Sequence, residues 1–126
     1  MKTKKYILIG MFFFLFFLLL FAIYHGKKTK YYITFDGVIL SVDSSFLTIQ
    51  GDTQNPAGLR GKYTIEKNDN ISIHNSSGDN ISFSSLIVGN HVEIHYFDYI
   101  VKSKLEQYVL NDGVVIPNVQ QINVIE

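Results

Sequence analysis

His91, Glu93 and His95 sit at every second position of the run His91-Val92-Glu93-Ile94-His95-Tyr96. In an extended chain successive side chains point to opposite faces, so both imidazoles and the carboxylate share one face and Val92, Ile94 and Tyr96 share the other. Neighbours on one face stand about 7 Å apart, near enough for two histidines and a carboxylate to converge on zinc, copper or nickel. The solvent face of any amphipathic strand shows the same pattern, and a metal reading needs a further ligand, for which His74 is the candidate. A second group is aromatic. Tyr96 and Tyr99, with Phe97, Tyr63 and Tyr108, offer rings on which a base, sugar or peptide could stack; strand packing is the alternative use of the same rings. The candidate ligand surface is therefore Tyr96 and Tyr99, and the candidate metal set is His91, Glu93 and His95.

Other motifs fall away. Gly58-Leu59-Arg60-Gly61-Lys62 resembles a phosphate loop only in part: it lacks the four-residue spacer and the Ser/Thr after lysine, and no helical pattern follows. There is no Gly-x-Ser-x-Gly elbow and no His-Glu-x-x-His pair. The absence of cysteine excludes disulfides, thiol nucleophiles and zinc–thiolate sites. Three Asn-x-Ser sequons begin at Asn70, Asn75 and Asn80, where Asn and Ser are also the residues turns require. No catalytic residue and no cofactor is expected, so the chain reads as a non-enzyme.

The elements that must hold these residues divide the chain in two. Six lysines and no acids lie in the first 30 positions, whereas the remainder carries five basic residues against all 11 acids, a net charge of −6. An acidic domain disfavours a phosphate backbone, so nucleic acid is not an expected partner. Tyr6 to Tyr24 holds 19 residues without charge or proline, which as a helix would extend about 28 Å, close to the roughly 30 Å hydrocarbon core of a bilayer. Flanking lysines and tyrosines complete the expectation of a signal anchor over 6–24, preceded by a basic tail over 1–5 and followed by a basic juxtamembrane linker over 25–31. The exit, Phe21-Ala22-Ile23-Tyr24-His25-Gly26, fits a cleavage site poorly; a cleaved, secreted form of the same domain is the alternative. The expected topology is single-pass at the cell membrane, N-terminus cytoplasmic and C-terminal domain extracytoplasmic, with the lipid bilayer as a partner.

From Lys30 onward the pattern alternates and is rich in Val, Ile, Tyr, Phe and Thr. It predicts strands over 31–42, 46–50, 62–65, 71–74, 91–101 and 119–125, a short helical turn over 82–86, and a hairpin of 105–110 with 114–116 about Asn111-Asp112-Gly113. A change of face near Gly37 predicts a bulge or bend there. Short twisted strands need closure to remove edges, so residues 32–126 are expected to form an extracytoplasmic OB-like β-barrel of five strands or slightly more, with an open β-sandwich as second choice.

Phe35-Asp36-Gly37-Val38-Ile39, followed by Ile81-Ser82-Phe83, Leu86 and Gly89-Asn90-His91-Val92-Glu93-Ile94, resembles the YobA-like domains of unknown function, small exported OB-like domains of Gram-positive bacteria. The likeness covers roughly Ile33 to Glu126 and departs after Tyr96, where a Pro-containing stretch is replaced by Tyr99 to Gln107. It implies a fold and lends no activity. The expected function is a membrane-anchored binding or assembly module without catalysis, meeting an envelope protein, peptide or polymer; a metal-binding protein is the alternative.

Overall fold

The computed structural model describes residues 10–20 and 27–125. The proline-free run Lys28–Val42 forms a 15-residue strand, β1, at the centre of the architecture. Around it lie β2 (Phe46–Gly51), β3 (Lys62–Glu66), β4 (Ser72–His74), β5 (His91–Val101) and β6 (Val119–Val124) in one six-stranded sheet ordered β3-β2-β1-β5-β6-β4. All neighbours are antiparallel except β4 and β6, which run parallel. The β1–β2 reversal is fixed by Asp43, whose Oδ1 accepts the backbone N–H of Ser45 at 2.9 Å and of Phe46 at 2.7 Å.

Alternation puts Phe35 and Ile39 of β1, Leu47 and Ile49 of β2, Tyr63 and Ile65 of β3, Val92, Ile94 and Tyr96 of β5, and Ile122 of β6 on one inward face. Strands as far apart in the order as β3 and β6 contribute to a single cluster, so the sheet must coil about its own inner face. Loop residues Leu59, Phe83, Leu86, Leu110 and Ile116 close the cluster where the sheet does not.

Five expectations are corrected. Among the described residues no helix is long and apolar enough to cross a membrane. The described helical residues are 10–20, about 16 Å at 1.5 Å per residue, roughly half of a hydrocarbon core. The transmembrane helix over 6–24, the signal anchor and the single-pass cell-membrane topology with an extracytoplasmic domain therefore do not hold; positions 1–9 and 21–26 lie outside the described residues. The linker over 25–31 is shorter than expected at its C-terminal side, because Lys28–Tyr31 already pair with Asp98–Val101.

The five-stranded OB-like barrel is replaced by an open six-stranded sheet. At the β3 edge, Thr64 meets Val115 in a lone parallel bridge, with Thr64 N–H on the Val114 carbonyl at 3.0 Å and Ile116 N–H on the Thr64 carbonyl at 2.8 Å. Pro117 then removes a donor and Asn118 takes φ 50°, so 113–116 and β6 cannot act as one continuous closing strand. The predicted hairpin arm over 105–110 is no strand: Lys102–Gln107 winds into a 3-10 turn. The Asn111-Asp112-Gly113 turn exists, but Asp112 and Gly113 bond Lys62 of β3 instead (Lys62 N–H to Asp112 Oδ1, 2.6 Å; Gly113 N–H to Lys62 O, 2.7 Å). The bulge of β1 lies at Leu40, between the pairs Ile39–Ile49 and Ser41–Thr48, rather than at Gly37.

Candidate functional site: the outward face of the central strands

The face opposite the core is set by the β1–β5 register. It pairs Lys30 with Tyr99, Tyr32 with Phe97, Thr34 with His95, Asp36 with Glu93 and Val38 with His91. β6 then lays Gln121 beside His95 and Asn123 beside Glu93, and β4 lays His74 beside Asn123. Residues from four strands thus form one outward surface whose two halves differ in chemistry.

The first half is a hydrogen-bonded polar ladder. His95 Nε2 lies 2.5 Å from Glu93 Oε1, and His95 Nδ1 lies 3.1 Å from Thr34 Oγ1. In a neutral ring, Nε2–H donates to the carboxylate, and Nδ1 is left to accept from the Thr34 hydroxyl. Asn123 Nδ2 donates to Glu93 Oε1 at 3.4 Å, and Gln121 Nε2 donates to Asn123 Oδ1 at 2.8 Å while standing 3.4 Å from His74 Nδ1. The His95 and Glu93 side chains remain about a third exposed. His74, Gln121 and Asn123 also border a shallow groove of about 450 Å³ beside the turn at Asn75–Gly78.

The second half is aromatic. Tyr32 and Phe97 pack edge to face at 5.9 Å, and Phe97 does the same with Tyr99 at 5.9 Å. Tyr32 is 74% exposed and Tyr99 52%. Lys30 Nζ lies 4.0 Å from the Phe97 ring centre and 5.2 Å from that of Tyr32, a cation held over ring faces.

The candidates read from sequence separate on these faces. Tyr99 is outward, but Tyr96 is 1% exposed and belongs to the core, where its ring meets Phe35 at 5.9 Å. Its hydroxyl reaches the Tyr108 hydroxyl at 2.9 Å, and Tyr108 donates to Asp98 Oδ2 at 2.8 Å. Tyr108 has one proton and gives it to Asp98, so Tyr96 is the donor to Tyr108. Burial, above all, pushes the Tyr96 phenol up to about 12 and raises that of Tyr108 as well. Tyr63 is likewise internal, its hydroxyl accepting Gly61 N–H at 2.9 Å.

His91 shares the outward face with Glu93 and His95 but lies beside Val38, whereas Glu93 and His95 bond each other. His74 reaches the ladder through Gln121. Among the described residues no group of three His, Cys, Asp or Glu is placed to hold a metal ion. Sequence reasoning missed Tyr32, Lys30, Thr34, Gln121 and Asn123. Their parity along the strands was readable, but the pairing that makes them neighbours of His95 and Phe97 is a property of register, which lies between strands.

A separate cleft of about 540 Å³ opens where β3 leaves the 113–116 segment, lined by Glu66–Asn68, Asn70, Ile71 and Val115–Gln120. No family model, no curated protein and no solved structure matches this chain, and the resemblance to the YobA-like domains rests on its sequence motifs alone.

Proposed function

We propose that this chain is a non-catalytic binding module that takes a neutral, polyhydroxylated polymer, a glycan, across the outward face of β1, β5 and β6. The observation that carries the reading is the adjacency of an outward aromatic strip, exposed Tyr32 and Tyr99 about half-buried Phe97, to the amide and carboxylate ladder of Gln121, Asn123 and Glu93. A sugar ring has an apolar C–H face that suits a tyrosine ring, and hydroxyls on its rim that both give and take hydrogen bonds. Planar amides and a carboxylate on a rigid sheet supply those partners with little rotamer entropy to lose. The net charge of −6 beyond position 30 disfavours polyanions, which separates this ligand class from nucleic acid.

The test is retention of the full chain on insoluble neutral polysaccharides against an anionic one. The expected result is retention on a neutral matrix that falls at least about tenfold in the Tyr32→Ala/Tyr99→Ala double variant, as expected when two aromatic anchors are lost. Equal retention of both proteins, or none on any neutral matrix, would overturn the reading.

A further inference from the structure

Independently of what the outward face binds, the N-terminal half of β1 has an unpaired edge. β2 runs alongside β1 only as far as Gly51, opposite Gly37. There Asn55 takes over as a mimic of the missing strand: its Nδ2 donates to the Asp36 carbonyl at 2.7 Å and its Oδ1 accepts Asp36 N–H at 3.3 Å. Odd positions of β1 turn their backbone groups toward β5, as Ile39 shows by bonding the Asn90 carbonyl and Gly89 N–H. Even positions turn away. Among the described residues, no strand pairs with this side of β1 before Gly37, and no turn, loop or side-chain hydrogen bond reaches the backbone of Lys30, Tyr32 or Thr34; all three residues are exposed. Such an edge is a template for another strand. Lysine often guards such edges, but Lys30 is drawn back over Phe97 at 4.0 Å.

We infer that this edge pairs antiparallel with the same edge of a second copy of the chain, about a two-fold axis at Tyr32. The sequence of the edge is self-complementary in that register. Tyr32 meets Tyr32, each Lys30 meets the partner's Thr34, and each Lys28 side chain approaches the partner's Asp36 carboxylate, all on the outward face. Basic residues fill one half of the edge and the acid the other, so antiparallel pairing joins unlike charges where a parallel pairing would join like ones. Asn55, occupying the space beside Asp36, limits the backbone pairing to Lys30–Thr34 and so fixes the register. The product is a continuous twelve-stranded sheet in which the two aromatic strips become one. Five residues a side make a small contact, so the dimer is weak and concentration-dependent.

The chain has no cysteine, which makes a single-cysteine test clean. In a hydrogen-bonded antiparallel pair the Cα atoms stand about 5.5 Å apart, within disulfide range. The full-length Tyr32→Cys variant at about 0.5 mM, well above the range in which small contacts dissociate, should form a disulfide dimer under mild oxidation. Ser41→Cys, exposed on β1 but already paired with Thr48 of β2, should not. Equal cross-linking at 32 and 41, as association through the apolar N-terminal segment would give, overturns the proposal, and so does no cross-linking at 32. The register is tested by sedimentation equilibrium of variants that keep the backbone. Thr34→Glu, beside the partner's Lys30, should tighten self-association and Thr34→Lys should weaken it, each by about 2- to 30-fold for the two symmetric cross-strand pairs. Equal effects of the two charges would overturn the two-fold register.

Discussion

Replacing Asn55 tests how the sheet ends beside β1. Asn55 is the sole polar residue among the described buried set, at 7% exposure. Its amide nitrogen donates to two carbonyls, Asp36 O at 2.7 Å and Leu59 O at 2.9 Å, and its oxygen accepts Asp36 N–H at 3.3 Å. In Asn55→Ala the Asp36 carbonyl keeps the Asp52 N–H at 3.0 Å, so the main loss is the Leu59 acceptor, left buried without a donor. An unsatisfied buried acceptor costs about 1–3 kcal/mol, and loss of the two bonds to the part-buried Asp36 backbone brings the expected loss to roughly 2–3 kcal/mol. For a domain of this size that corresponds to a fall in Tm of about 10–20 °C. Asn55→Asp is the sharper variant. It keeps the shape but aims a carboxylate oxygen at two carbonyls, so it should destabilise more than alanine at neutral pH. Urea unfolding followed by near-ultraviolet circular dichroism of the eight tyrosines measures both. An aspartate variant as stable as wild type would refute the assignment of donor and acceptor, and with it the account of how β2 pairing stops.

Other outcomes follow from the same structure. Ile94→Ala, at a position with 0% exposure, should cost about 2–5 kcal/mol in urea unfolding. Gly58→Ala would set a Cβ 2.2 Å from the Tyr108 carbonyl oxygen and should cost about 1–3 kcal/mol by the same assay, parting the Leu110 N–H to Gly58 O bond. The Tyr96 phenol is raised in the folded state from an ordinary 10.0 to about 12, so the unfolded chain loses that proton first as pH rises. Its contribution to stability is therefore full below pH 10 and is lost between pH 10 and about 12. In a spectrophotometric titration of the folded protein, Tyr96→Phe should leave the tyrosinate absorbance gained near pH 10 undiminished; a drop there by one tyrosine's share would contradict the buried relay.

The inward and outward faces were legible because alternation is local. Val92, Ile94 and Tyr96 against His91, Glu93 and His95 follow from backbone geometry alone, and the structure keeps that division. The failures share a different cause. Leu105, Val109 and Leu110 carry a strand-like composition, yet Lys102–Gln107 turns in a 3-10 helix and Leu110 packs as a plug in the core. Tertiary packing overrode propensity there. The parallel addition of β4 to β6 and the break at Pro117 decide that the sheet stays open, and neither is visible until partners are known. Gly58 was readable only as a loop residue; its need to be glycine comes from the backbone of Tyr108, 50 positions away. For the apolar N-terminal run, hydropathy counted 19 residues where the described helix spans 10–20. Of the candidate site, residue types were legible and neighbours were not. Tyr99 and His95, named from the sequence, lie on the outward face, whereas Tyr32, Gln121 and Asn123 join them there only through register.

The central claim is that the outward face of β1, β5 and β6 is the binding surface. Its most direct test is amide chemical-shift mapping of the full chain titrated with a soluble neutral oligosaccharide cut from the retained polymer. The account predicts shifts that saturate together at residues 30–34, 93–99 and 121–123, and that vanish in the Tyr32→Ala/Tyr99→Ala variant. Shifts gathered instead around 66–71 and 115–120, the cleft beside β3, or no saturable shifts on the outward face, would contradict it.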